Sequence, residues 1–169
     1  MILAIDPGNE FSAYVVLDDN LKPIQKDKVE NSVLLAIIPD ILLNYDVRDV
    51  AIEMVASYGM AVGKSVFETC VWIGRFYQSI VDFCNKSGIW TIQLQFIYRK
   101  DEKMCLCGSM KAKDSNIIQA LVDRFAPNTP NKGKGTKKAQ GFFYGFKKDI
   151  WQAMAVAVTY HDKYMEVGD

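Results

Sequence analysis

The sequence predicts a mixed α/β fold on five strands, and three observations carry that reading. Apolar runs bounded by turn residues fall at 1–6, 12–17, 49–55 and 89–98, with a looser alternation at 23–29. Stretches with helical spacing fall at 32–45, 62–85, 113–125 and 149–164, so three strands are followed by helix, strand, helix and strand. The chain has 169 residues, half of them hydrophobic, which is enough for one full core and too few for two comfortable ones.

Taken in order, Ile2-Leu3-Ala4-Ile5 is a short buried strand closed by Asp6 and turned by Pro7-Gly8. Residues 12–17 form its partner and 23–29 the third strand. Asn31 is placed to cap the next helix, with Pro39 expected to kink or break it. A strand ending near Glu53 leads into a loop at Ser57-Tyr58-Gly59. The helix at 62–85 has one apolar row at Val66, Cys70, Ile73, Tyr77, Ile80 and Cys84, and another at Phe67, Val71, Trp72, Phe76 and Phe83. Apolar residues on two sides imply burial on two sides, one against the sheet and the other against a second subunit or a further helix.

The fifth strand precedes a short helix at 99–107 and a longer one at 113–125. Residues 128–141 are rich in Pro, Gly and Lys, nearly devoid of apolar side chains, and read as a flexible loop. In the last helix Ala153, Ala155 and Ala157 alternate with Met154, Val156 and Val158, and small residues of this kind permit close packing on a sheet.

Charge is balanced overall, with 20 basic and 20 acidic residues, but it is unevenly distributed. Residues 99–148 hold twelve Lys and Arg against four acids (Asp101, Glu102, Asp114 and Asp123). That asymmetry suits a basic face for a polyanion beside an acidic pocket for metal, and equally a solvated lysine-rich loop. Cys70, Cys84, Cys105 and Cys107 form no Cys-x-x-Cys pair and His161 is the sole histidine, which argues against structural zinc. With no charged leader and no apolar stretch of about 18 residues, the expectation is a cytoplasmic protein with reduced thiols and no membrane partner.

Three acids stand out by position. Asp6 and Glu53 each end an apolar run, and Asp149 opens the last helix. Singly they read as a turn former, an exposed strand end and a helix cap. Together they invite another reading, since adjacent parallel strands align their ends and an apolar helix docked on the sheet brings its first turn close. Gathered carboxylates need divalent cations, and such sites suit phosphate-ester chemistry.

Ile-Asp-Pro-Gly at 5–8, Ala-Ile-Glu at 51–53 and Asp149-x-x-Gln152-Ala153-x-Ala155-x-Ala157 resemble the three signature segments of RuvC-type Holliday-junction resolvases, within the ribonuclease H-like superfamily. The resemblance is closest to the phage branch, particularly resolvases of lactococcal phages, and covers residues 1–164. It implies a ribonuclease H-like mixed five-stranded sheet flanked by helices, and a single nuclease domain over 1–169. It also implies a homodimer, four-way junctions and forks as DNA partners, no small-molecule cofactor, and a host-cell cytoplasmic setting if phage-encoded.

Carried over by position, the resemblance makes Asp6, Glu53 and Asp149 catalytic metal ligands for Mg²⁺ or Mn²⁺, two ions to a site. Where the family has a fourth acid, this chain has Gln152, whose amide oxygen brings no charge, so the second ion should be held less firmly. His161 cannot replace that acid, lying twelve helical residues, roughly 18 Å, beyond Asp149.

The resemblance further points to Lys103 and Lys113 as the lysines that neutralise the scissile phosphate, with Arg99 and Lys111 near enough to exchange roles. Lys132, Lys134, Lys137, Lys138, Lys147 and Lys148 read as DNA-backbone contacts, or as solvated surface lysines. Tyr58 falls where the family approaches the junction centre and could stack on an unpaired base, or simply pack in its loop.

The expected activity is therefore a metal-dependent endonuclease that nicks two strands of a junction symmetrically, leaving 5′-phosphate and 3′-hydroxyl ends. A branched-DNA-binding protein with weak or absent catalysis is the alternative from another class. Other ribonuclease H-like nucleases remain compatible with the fold. A sugar-kinase or actin-like ATP-binding fold also begins with an Asp-bearing strand and a Gly turn, but it needs a second similar domain for which the chain has no room.

Overall fold

Apolar runs too short for helices and bounded by turns form a five-stranded sheet, in a computed structural model that describes residues 1–57, 59 and 61–165. Its strands are β1 (Ile2–Asp6), β2 (Phe11–Leu17), β3 (Pro23–Glu30), β4 (Asp49–Met54) and β5 (Gln93–Tyr98), in spatial order β3-β2-β1-β4-β5. β1 is antiparallel to β2 and parallel to β4, and β4 is parallel to β5. The carboxyl ends of β1, β4 and β5 therefore share one edge of the sheet.

Side-chain alternation splits the core into two layers. Ile2, Ala4 and Ala51 face α5 (Ile150–Tyr164), whereas Leu3, Ile5, Val50 and Ile52 face α1 (Asn31–Asn44) and α2 (Lys64–Ser87). Because Asp6 continues the row of Ile2 and Ala4, and Glu53 that of Ala51, both acids project to the α5 side. Fully buried Ala153, Ala155 and Ala157 let α5 lie close on β1 and β2. An aromatic cluster of Phe143, Phe146 and Trp151 closes the layer at the start of that helix.

The turn after Asp6 is fixed by residues distant in sequence. A Cβ at Gly8 would lie 2.3 Å from the Phe11 carbonyl oxygen, so only glycine fits. The Gly8 N–H donates to Ser12 Oγ, Ser12 Oγ donates to Asn31 Oδ1 at 2.6 Å, and Asn31 Nδ2 donates to the Gly8 carbonyl at 2.9 Å. Asn31 is therefore not the helix cap expected of it. It lies inside the first turn of α1, after Glu30, and its buried amide is spent on the Gly8 turn. Pro39 does not break α1, which runs through it to Asn44.

α2 buries only one stripe, Thr69, Ile73, Phe76 and Ile80, at helical spacing. Phe67 and Val71, on another side, remain about 60% exposed, so no further helix among the described residues covers them. After β5 come α3 (Arg99–Cys107) and α4 (Asp114–Phe125), and α3 packs on α5. The lysine-rich stretch expected as a flexible loop carries a 3₁₀ turn at Pro130–Gly133 and a bridge between Gly135 and Gln140. Its return strand ties back through the Phe143 N–H to the Gly133 carbonyl at 3.0 Å. No helix among the described residues is long and apolar enough to cross a membrane.

Candidate active site at the carboxyl edge of the sheet

The parallel register that pairs Ile5 with Ile52 sets Asp6 beside Glu53, and the two carboxyls share a hydrogen bond. Burial raises the Asp6 pKa well above the carboxylate range, helped by the charge of Glu53 and the hydrogen bond to it, then by Asp149 and Glu102. Burial also raises Glu53, opposed by the hydrogen bond from Asp6 and by the Arg99 guanidinium. Neighbouring carboxyls at this spacing disfavour each other's ionised form, and a bound cation would relieve that repulsion.

β5 brings the positive charge. Glu53 pairs with Ile97, and Tyr98 caps α3 as the Asp101 carboxylate accepts its backbone N–H at 3.3 Å. Arg99 is thereby the first helical residue, directly over the edge. Its Nη1 donates to Glu102 Oε2 and to Gln152 Oε1, each at 2.5 Å, and its Nη2 donates to Asp114 Oδ1 at 2.5 Å. Glu102 lies one helical turn after Arg99 and is fully buried, with its second oxygen, Oε1, lacking any hydrogen-bond partner. Burial and the charge of Glu53 push its pKa up to about 9 against the opposing pull of Arg99. Between the ion pair and the loss of water, the loss of water wins.

Asp149 caps α5, follows Lys148 in a left-handed conformation (φ 41°), and makes no side-chain cap to the helix. Its carboxylate instead pairs with Lys28 on β3. Lys28 reaches it because Lys28, Ala13 and Asp6 lie side by side across β3, β2 and β1. A cleft of about 270 Å³, lined by Glu53, Arg99, Val55, Val62 and Val66, opens beside this cluster. A larger groove, about 740 Å³ between α1 and α2, includes none of these charged residues.

Of the residues expected from sequence, the fold therefore gathers Asp6, Glu53, Asp149, Gln152 and Arg99. Lys103 is half-buried one turn beyond Arg99, while Lys111 and Lys113 are exposed just before Asp114. Lys113 opens α4, its N–H donating to Asn116 Oδ1 at 2.8 Å. Lys132, Lys137 and Lys138 are exposed and Lys134 half-buried on the ordered stretch, and Lys147 and Lys148 are exposed immediately before Asp149. Tyr58 lies outside the described residues. His161 sits far along α5, beside Asp162.

Glu102, Asp114 and Lys28 joined the cluster without being foreseen. An i,i+3 spacing links Arg99 to Glu102 in the sequence, but nothing local says that this acid in a polar stretch would be buried. Lys28 could have been found by following the alternation of β3 across to Asp6.

The oxygen-only donor set, the closely paired carboxyls of Asp6 and Glu53 and the unpartnered Glu102 Oε1 fit a hard divalent cation. Among the described residues no three His, Cys, Asp or Glu side chains stand close enough to enclose an ion as they lie. Asp149 is held by Lys28 and Gln152 by Arg99, so ligation requires at least Asp149 to turn.

No family model matches the chain, and no curated protein matches it in sequence. Solved structures do. RuvC of Thermus thermophilus in complex with a Holliday junction substrate aligns with a TM-score of 0.66 at 14% identity, over 99% of this chain and 95% of that one. A second structure of T. thermophilus RuvC aligns with a TM-score of 0.64 at 17% identity, over 99% and 96%. The yeast mitochondrial Holliday junction resolvase Ydc2 aligns with a TM-score of 0.51 at 10% identity, over 94% and 78%. This mixed five-stranded sheet with its flanking helices is the ribonuclease H-like fold of RuvC-type resolvases.

Proposed function

We propose that this chain is a metal-dependent endonuclease of the RuvC type, from its phage branch, which resolves four-way and other branched DNA by paired symmetric nicks. The observation that carries the reading is the half-buried Asp6–Glu53 pair at the carboxyl edge of the sheet, with Asp149 brought opposite by α5. Likeness in fold to T. thermophilus RuvC, solved with a Holliday junction substrate, supports the same reading.

Mg²⁺ or Mn²⁺ bound by these carboxylates would supply a polarised water and charge neutralisation at the departing 3′ oxygen, giving 5′-phosphate and 3′-hydroxyl ends. The chain's own residues do the rest. Asp6 and Glu53 hold the acidic edge on two rigid strands, and Asp149 reaches it on exchanging Lys28 for the ion. Arg99 faces the cleft and meets the negative charge that builds on the scissile phosphate, with Lys103 and Lys113 in support. Lys132, Lys134, Lys137, Lys138, Lys147 and Lys148 grip the DNA backbone beyond it. Tyr58, four residues after Met54 in the sequence, stacks on an unpaired base at the junction centre.

Two-fold junction symmetry calls for two such sites, and a homodimer through the exposed face of α2 at Phe67 and Val71 supplies them. The protein acts in the host-cell cytoplasm, with branched DNA as its partner and no small-molecule cofactor.

Incubating the protein with labelled four-way junction, fork and linear duplex, in Mg²⁺ or Mn²⁺, tests this directly. Paired nicks on the junction with the linear duplex spared are the expected result. Equal cutting of all three, or none, removes the resolvase reading.

One observation favours a second reading. Asp149 and Gln152 are both already engaged by protein cations. A branched-DNA-binding protein with weak or absent catalysis accounts for that, and it predicts tight junction binding without nicks at any metal concentration.

A further inference from the structure

Three candidate ligands on the helix side of the site, Glu102, Gln152 and Asp114, converge on a single guanidinium. Arg99 bonds all three at 2.5 Å and draws on the charge of Glu53 as well. We propose that Arg99 is a built-in cation standing where a second divalent ion would otherwise sit, so that each chain binds one ion, through Asp6, Glu53 and Asp149. This deepens the nuclease reading and rests on it.

The two protein cations at the site differ in how easily an ion displaces them. Lys28 and Asp149 are both more than a third exposed, so their pair is weak and Asp149 can exchange it for a metal at little cost. Arg99 is anchored otherwise. Its partner Glu102 is fully buried and lies on the same helix, and its other oxygen already has no hydrogen-bond partner, so removing Arg99 leaves a buried carboxyl with neither oxygen satisfied. A guanidinium does not give up its proton, so a second divalent ion could enter only by expelling it.

Gln152 fits this arrangement better than an acid does. The guanidinium already faces two carboxyl groups, and a neutral amide oxygen accepts the second N–H of Nη1 without crowding a further acid into the cluster. On this account Gln152 is an Arg99 acceptor, and Glu102 and Gln152 are positioning residues for a fixed positive charge. Chemically the outcome is a site with one exchangeable ion and one permanent charge.

Ion stoichiometry decides the matter without relying on turnover. Calorimetric titration of the full-length protein with Mn²⁺ alone, checked by Mn²⁺ electron paramagnetic resonance, is expected to give one ion per chain and no spin-coupled pair. Gln152→Asp, which keeps Arg99 and Glu102, is expected still to bind one. Arg99→Met combined with Gln152→Asp is expected to bind two. Should that double variant fold only when Mn²⁺ is added, two ions per refolded chain remains its expected result.

Two ions in the unaltered protein or in Gln152→Asp alone overturn the inference, as does a single ion in the double variant. If the unaltered protein binds two ions and still nicks junctions, only this inference falls. If it binds none and nicks nothing, the nuclease reading falls with it.

Discussion

Asp6 stands beside Glu53 at the ends of two parallel strands, where their half-buried carboxyls share one hydrogen bond. Forty-seven residues separate them in the chain, yet each strand's alternation sends its acid to the face that α5 covers. The pair is electrostatically unfavourable when ionised and alone. That cost is what a bound cation would remove.

Asp6→Asn tests that relationship. The amide keeps the shape and the hydrogen bond to Glu53 but removes a metal-binding charge. Junction nicking should fall to background while gel-shift binding of a four-way junction persists. Normal nicking by this variant would remove Asp6 from the chemistry.

Glu102 gives the metal-free protein a distinctive pH dependence. Its pKa rises from 4.5 to about 9 on folding, so between those values the folded chain holds a proton that the unfolded chain has released. Its contribution to stability is fully present below pH 4.5 and is lost as pH climbs towards about 9. In chelator, Glu102→Gln should therefore gain stability over the unaltered protein as pH rises from 5 to 8, by up to about 1.4 kcal/mol per pH unit. Parallel thermal-melt profiles for the two would contradict the assigned shift.

Asn31→Ala removes the buried amide that joins Gly8 to Ser12. The expected loss of stability is about 1–3 kcal/mol, because Ser12 is left buried without its acceptor. Denaturant unfolding measures the loss. Nicking should weaken too, since the turn after Asp6 is loosened.

Alanine at Lys132, Lys134, Lys137 and Lys138 should flatten the salt dependence of junction binding, lowering the log-log slope by about 0.9 for each phosphate that is no longer neutralised. Fluorescence anisotropy across a salt series gives the slope. An unchanged slope would assign these side chains to solvent.

Phe67→Glu with Val71→Glu places charge on the exposed face of α2. Sedimentation should report a monomer, and junction products should change from paired to single nicks. A dimer that survives both substitutions must use another surface.

The sequence by itself determined the strand and helix order and the three acids. Apolar period and turn residues are local signals, and Asp6, Glu53 and Asp149 each sit where such a signal stops. Composition also exposed the basic bias of residues 99–148, although not its geometry. Tertiary structure alone decided what each polar group faces. Asn31 looks like a cap until β2 offers it a hydroxyl, and Glu102 looks like surface charge until α3 docks on α5. Lys28 meets Asp149 only because three strands lie side by side, and Gln152 meets Arg99 only because β5 and α5 converge. The physical reason is range: a hydrophobic period is written along the chain, whereas an ion pair or a buried amide depends on the few ångströms between segments that only packing sets.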